Sequence, residues 1–493
     1  MYSIGYDVGS SSIKCSILEI ESGKVKAAGF YPEEEMAIST PKPGYAEQDP
    51  EVWWEYVKIL THKLTKGNSI NADEIVSIGI TYQMHGLVLV DKDQKLLRPS
   101  IIWCDSRAVE IGQKAFEAIG EEKCLTSLLN SPGNFTASKL RWVKENEPDI
   151  YGRIYKAMLP GDFIAMKLSG EINTTISGLS EGIFWDFQKN SISEDVLSYY
   201  QIDKNILAKA HDSFEIQCRL SEKAAIELGL KKGTPISYRA GDQPNNAFSL
   251  KVLNPGEIAA TAGTSGVVYG VTDKIRFDAK SRVNQFAHVN YSNQKNSLGV
   301  LLCINGTGIL NSWLRKAAGS EYSYNEINVL ASEVAIGSEG VIIIPFGNGS
   351  ERVLENKNIG CSISGLDFNR HSKAHLFRAA QEGIAFSFKY GIDIMGEMGL
   401  NINVVRAGKA NMFLSPVFRE TLANLTGATI ELYDTDGAQG AARGAALGAG
   451  YYKSIDEAFN SLKKLETLSP DKSKTEKTLK GYDSWLDQLN RII

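Results

Sequence analysis

The chain has 493 residues, 43% hydrophobic and 23% charged, a globular composition long enough for about two to four domains. A net charge of -5 at pH 7 excludes the basic footprint that a nucleic-acid backbone or an anionic membrane demands, and leaves small polar and anionic substrates open. Six cysteines scattered without a CxxC pair exclude a disulfide framework, and no run approaches the ~20 apolar residues of a membrane span, so a cytoplasmic protein with neither nucleic-acid nor membrane partners is expected.

Residues 2–20 read YSIGYDVGSSSIKCSILEI, two alternating strands joined by a turn. Asp7 closes the first strand, Gly9 permits a sharp bend, and Ser10, Ser11 and Lys14 follow. Successive amides and hydroxyls in such a turn can cradle a phosphate, and a strand-end aspartate can orient Mg2+ through its water shell. The plain alternative is a solvated hairpin. Pro50 to Leu64 reads as a helix capped by Asp49, with Trp53, Val57 and Leu60 on its apolar stripe. The strand IVSIGI at 75–80 leads into Tyr82-Gln83-Met84-His85-Gly86, and strand ends are favoured ligand positions in α/β sheets. A further strand, RPSIIW at 98–103, is followed by Cys104-Asp105-Ser106-Arg107. Trp103 beside Asp105 and Arg107 suits a sugar, with its apolar C–H face and hydroxyl edges. A buried tryptophan with a simple Asp–Arg pair is the alternative.

A strand around Pro235–Tyr238 precedes Gly241-Asp242-Gln243. Asp242 reads either as a helix N-cap or as a general base for a sugar hydroxyl. The Asn-Pro-Gly turn at 254–256 suggests a boundary near there, giving domains 1–247 and 248–493. Residues 257–271, EIAATAGTSGVVYGV, repeat the strand–turn–strand unit with Gly263, Thr264 and Ser265 in the turn, a faint internal repeat that predicts duplicated domains. Helices are expected at His375–Met398 and Pro416–Leu425, and a strand INVV at 402–405 before Arg406-Ala407-Gly408-Lys409-Ala410-Asn411, where small residues would let a flat purine approach. Gly437–Ala442 begins a helix so poor in bulk that something packs close to it, whether a neighbouring element or a nucleotide. The tail from Ser454 reads as a Lys/Glu-rich surface helix. There is no GxxxxGK[ST], GxGxxG, HExxH or HRD–DFG set.

With YDVGSSSIK, GYAEQDPEVWW (44–54), YQMHG, LRPSIIWCDSR, AGDQ, TAGTSGV and GAQGAARGAA in this order, the chain resembles the FGGY family of carbohydrate kinases over essentially its whole length. QMHG with EQDPxxWW is similar to the branch of that family that acts on D-xylulose. The resemblance implies an α/β fold of two actin-like (ribonuclease H-like) domains around a cleft, ATP and Mg2+ as partners of a small sugar, and a homodimer by default. Its substrate would be D-xylulose, with ribulose, gluconate and glycerol as alternatives. It also implies roles: Asp242 as base, and Asp7 with Asp242 near the metal. Met84, His85, Trp103, Asp105, Arg107 and Gln243 fall at the sugar. Ser10, Ser11, Lys14, Gly263, Thr264 and Ser265 fall at the phosphates, and Gly408 and Asn411 at adenosine. AGKANM replaces the family's glycine-rich adenosine motif, and GDQ its usual GDN. The rival classes are an actin-like nucleotide-driven binding protein and a non-catalytic sugar sensor.

Overall fold

The computed structural model describes residues 1–493. Strands β1 (Tyr2–Val8) and β2 (Ile13–Glu19) form the expected hairpin, and β3 (Val25–Tyr31) adds antiparallel to β2. Ile4, Tyr6 and Val8 of β1 and Ile13, Cys15 and Ile17 of β2 are buried, the period-two pattern of a sheet face packed on a core. Helix α1 (Pro50–Gly67) starts at a proline, whose fixed φ suits a first turn, and the Asp49 carboxylate accepts from the Glu51 amide at 2.9 Å. Trp53, Val57 and Leu60 are fully buried beneath it. Strands β4 (Ile75–Tyr82) and β5 (Pro235–Gly241) run parallel to β1, and the six-stranded order is Cys218–Arg219, β5, β4, β1, β2, β3.

The second half builds its own sheet from β6 (Glu257–Ala262), β7 (Gly266–Thr272), β8 (Asn284–Ala287), β9 (Leu298–Ile304), β10 (Val404–Gly408), β11 (Thr429–Tyr433) and β12 (Lys464–Leu468). Its order is β8, β9, β7, β6, β10, β11, β12. Without the edge strands, both sheets read third, second, first, fourth, fifth. In each, the first two strands are antiparallel and the last two run parallel to the first. The faint repeat of two Gly/Ser hairpins is thus a repeat of topology.

Helix α2 (Asp242–Ser249) follows β5 directly; α3 (Lys373–Glu397), α4 (Pro416–Thr426), α5 (Gly437–Gly448) and α6 (Lys472–Asn490) belong to the second half. Helix α5 nevertheless lies against the first sheet. A Cβ on Gly79 would stand 2.7 Å from the Ala441 carbonyl carbon, and one on Gly5 2.9 Å from the Ala442 Cα. Buried hydroxyls stitch the two together: Ser3 donates to the Ala442 carbonyl at 2.6 Å and Ser237 to that of Ala445 at 2.7 Å. Close helix-on-sheet contact therefore accounts for the small residues of GAQGAARGAA.

Two sequence expectations are corrected. RPSIIW contributes only the two-residue strand Ser100–Ile101, because its partner is just Glu47–Gln48. The tail is not a surface helix: β12 extends the second sheet, and α6 buries Tyr482, Trp485 and Leu489 in its core. The Trp485 ring stacks on Tyr482 and its Nε1 donates to the Ile343 carbonyl at 3.0 Å. Trp485→Ala is expected to lower unfolding free energy by ~3–5 kcal/mol in urea titrations, as truncation of a fully buried aromatic does; a loss under about 1 kcal/mol would return this helix to the surface.

Candidate active site

A cleft of about 840 Å3 opens between the two sheets at the ends of their parallel strands. Its first wall carries Met84, His85, Trp103, Asp242 and Gln243; Ser265, Asn284, Asn305 and Arg352 stand on the second. A separate pocket of about 400 Å3 takes in Gly263, Thr264, Asn311, Asn325 and Asn411. The turn between β6 and β7 joins the two cavities, since Thr264 lines one and Ser265 the other.

Asp242 is the first residue of α2 and the cap position belongs to Gly241, which corrects the N-cap reading. The carboxylate thus sits at a helix N-terminus, where the macrodipole favours its ionised form. Burial and the nearby Asp7 outweigh this and push Asp242 up to about 7. Asp7 pairs with Lys14 at 3.8 Å and is itself pushed up to about 6, by burial against the opposing pull of Lys14 and with a further push from Asp436. A Cβ on Gly437 would meet Asp7 Oδ2 at 2.6 Å, so the start of α5 reaches the first hairpin. Ser10 receives a hydrogen bond from Trp103 Nε1 at 3.2 Å and Ser11 is exposed; none of Asp7, Ser10, Ser11 and Lys14 lines either cavity.

His85 occupies the left-handed region at φ 61°, a conformation non-glycine residues hold only when their surroundings fix it. Its Nδ1 lies 3.0 Å from the Glu181 carbonyl. A carbonyl only accepts, so Nδ1 carries the proton and Nε2 is left as an acceptor. Burial, with help from Lys139, holds the ring neutral by lowering its pKa to about 3. Phe135 and Phe286 wall the ring at 4.7 and 5.3 Å between centroids. Asn411 also has positive φ, 52°, and its Nδ2 would lie 3.5 Å from a Cβ on Gly263, which sets the AGKANM loop against the second hairpin. Gly408 ends β10 with open space beside it and does not line the pocket.

Asp105 is among the residues that line the cleft, and Arg107 is not. Both Asp105 oxygens are committed, to Arg107 and to the Ala46 amide at 2.6 Å, and the residue is fully buried. Arg107 is stacked 3.8 Å from the Tyr45 ring and pairs with Glu47 at 2.7 Å, away from the cleft. The pair braces the Trp103 loop against the Tyr45–Glu47 segment.

Sequence reasoning missed three residues. Lys139, buried on a short helix, donates to the His85 and Ile102 carbonyls at 2.8 and 2.9 Å and ties the His85 and Trp103 loops together. Glu181 packs under Gly241, whose Cβ would lie 2.7 Å from Oε2, and neither of its oxygens has a hydrogen-bond partner; burial raises its pKa well above the carboxylate range. Asp436 caps α5 by accepting from the Gln439 amide at 2.8 Å. Only Asp436 had a signal, an aspartate before a helical run.

This pairing of duplicated sheets, facing hairpins and an aspartate at the cleft defines a two-domain α/β kinase of the actin-like fold. Residues 2–249 match the N-terminal domain of the FGGY family of carbohydrate kinases and residues 258–452 its C-terminal domain. The chain belongs to that family and is a sugar-phosphorylating phosphotransferase. It is 28% identical to the xylulose kinase of Bacillus subtilis (strain 168) over 461 residues, 92% of this chain and 90% of that one. It is 27% identical to the xylulose kinase of Escherichia coli (strain K12) over 475 residues, 95% and 94% of the two chains. In fold it matches the crystal structure of xylulose kinase from Rhodospirillum rubrum, with TM-score 0.88, 23% identity and coverage of 100% and 99%. No helix is long and apolar enough to cross a membrane.

Proposed function

We propose that the protein transfers the γ-phosphoryl group of ATP to the terminal hydroxyl of D-xylulose, giving D-xylulose 5-phosphate and ADP. The observation that carries this reading is the β6–β7 turn, with Thr264 in the smaller pocket and Ser265 in the cleft that Asp242 lines. A nucleotide held at Gly263, Thr264 and Asn411 would present its terminal phosphate, through that turn, to a sugar beside Asp242. The xylulose kinases of B. subtilis and E. coli support D-xylulose as the acceptor.

Phosphoryl transfer passes through a loose transition state, so the protein's tasks are alignment and charge neutralisation. Asp242 accepts the hydroxyl proton as the oxygen–phosphorus bond forms and the bond to the leaving ADP breaks. His85 Nε2 accepts from a sugar hydroxyl, Met84 and Trp103 cover the C–H face, and Gln243 adds a donor and an acceptor. Ser10 and Lys14 approach the phosphates from the first hairpin, opposite Ser265. Asp7 raises the proton affinity of Asp242, and Asp436 that of Asp7, the signature of a site where negative charge collects and a cation is welcome. No three metal-ligating side chains converge, which suits Mg2+ arriving with the nucleotide and keeping its waters. Its chemistry there is to neutralise phosphate charge.

ADP release from Mg·ATP against D-xylulose, D-ribulose, L-ribulose, D-gluconate and glycerol tests the reading. D-Xylulose should give the highest kcat/KM. Preference for another polyol would reassign the acceptor, and ATP binding without turnover of any would remove the catalytic reading.

A further inference from the structure

The smaller pocket, of about 400 Å3, has two ends. At one, Gly308 packs on the β6–β7 turn, its amide donating to the Gly263 carbonyl at 2.9 Å. At the other, Tyr324 and Asn328 of the helix Tyr324–Glu333 and Leu414 before α4 line the pocket, and none of them lines the cleft. Tyr324 and Leu414 are 45% and 46% exposed, which leaves an aromatic and an aliphatic surface open to a flat ring. Stacking of that kind tolerates any base, because every base has a π-face. No acidic or basic side chain lines the pocket; its polar side chains are amides and hydroxyls.

One of those amides is fixed. The Ser415 hydroxyl accepts from the Phe418 amide at 3.1 Å, so its own proton goes to Gln381 Oε1 at 2.7 Å. Gln381 is fully buried, and its Nε2 donates in turn to Asn328 Oδ1 at 2.9 Å. The relay engages the Asn328 oxygen and leaves Nδ2, which has no protein acceptor, to donate into the pocket. Asn311 and Asn325 make no side-chain hydrogen bond and can turn either way. A fixed donor is met by a ring nitrogen of adenine, and equally by a ring nitrogen or the O6 of guanine or hypoxanthine. A free amide offers its oxygen to the amino group of adenine or its NH2 to a six-position carbonyl. Nothing on these walls rejects either group.

We propose that Asn328 is the base-reading donor of the nucleotide pocket, and that the enzyme takes purine nucleoside triphosphates whatever their six-position group, GTP and ITP beside ATP. The step balances as with ATP: the sugar oxygen bonds to the γ-phosphorus, its proton passes to Asp242, and GDP or IDP leaves. The inference rests on this pocket being the nucleotide site.

The test measures kcat and KM of the full chain for Mg·ATP, Mg·GTP and Mg·ITP, at saturating concentration of whichever sugar of the panel above it turns over best. In wild type, kcat/KM for GTP and ITP should lie within ~10-fold of that for ATP, since a site that reads the six-position group by hydrogen bonds discriminates far more strongly. Asn328→Leu should raise KM for all three nucleotides ~3–10-fold, the cost of one neutral hydrogen bond, while KM for the sugar stays where it was. A wild-type preference for ATP beyond that tenfold range overturns the purine reading. Nucleotide KM values unmoved in Asn328→Leu, or a sugar KM that rises with them, overturn the role of Asn328. Ser312→Trp, which fills the pocket, separates these failures from a failure of the site itself. It should raise KM for every nucleotide, and an unchanged KM for ATP in that variant would mean that the nucleotide lies elsewhere, which sinks the inference together with the reading beneath it.

Discussion

Asp242→Asn should lower kcat for the sugar by ~10²–10⁴-fold, the range for loss of one general base, while ATP still binds. The amide keeps the shape of the carboxyl group at the start of α2 and removes only its ability to take a proton. Retention of more than a tenth of wild-type kcat would remove Asp242 from that role. The ionisation of this group also sets a pH dependence. Held up at about 7, chiefly by burial and then by Asp7, Asp242 accepts a proton only when ionised, so kcat/KM in wild type should fall as pH drops through about 7. Stability runs the other way. A carboxyl whose folded pKa lies above its unfolded value of ~3.9 contributes stability below that value, and the contribution is lost as pH rises through about 7. Asp242→Asn should therefore melt at a higher temperature than wild type at pH 8 and show little difference near pH 4. An inactive variant that is also more stable separates a lost catalytic group from a damaged fold.

Much of this architecture was legible because it is written locally. The hairpins at Tyr2–Glu19 and Glu257–Thr272, the capped start at Asp49-Pro50 and the Pro416 helix each follow from residues within one or two turns of one another. What could not be read depends on contacts remote in sequence. Arg107 has the chemistry of a sugar ligand, and only the placing of Tyr45 and Glu47 more than fifty residues earlier turns it into a brace. Lys139 sits in an unremarkable helical stretch and matters because two loops bring carbonyls to it. The C-terminal segment misled for the same reason. Its lysines face outward, and the seven-stranded sheet that receives β12, with the core that takes Trp485, is assembled from strands some 30 to 200 residues away. GAQGAARGAA is intermediate: its lack of bulk signals a close neighbour, but the neighbour is a sheet whose strands lie some 200 to 440 residues earlier.

That contact yields a large stability effect for a single methyl group. In Gly79→Ala the added carbon would stand 2.7 Å from the Ala441 carbonyl carbon and 3.1 Å from the Ala445 methyl. The first neighbour is helix backbone, held to the same sheet by the Ser3 and Ser237 hydroxyls, so no side chain can rotate out of the way. Helix α5 must lift from β1 and β4 or the sheet must bend, and overpacking of this kind costs ~1–3 kcal/mol, more where backbone blocks backbone. We expect at least about 3 kcal/mol in urea unfolding for Gly79→Ala. Gly67→Ala, at an α1 position where a Cβ meets nothing within 4 Å, should be neutral or slightly stabilising. The damage should reach function as well. Helix α5 starts beside Asp7, so displacing it moves the first hairpin relative to the second, and if the two hairpins hold the phosphates as proposed, KM for ATP should rise along with the loss of stability. A Gly79→Ala protein as stable as wild type would mean that the helix does not lie on the sheet as closely as Ser3 and Ser237 hold it here.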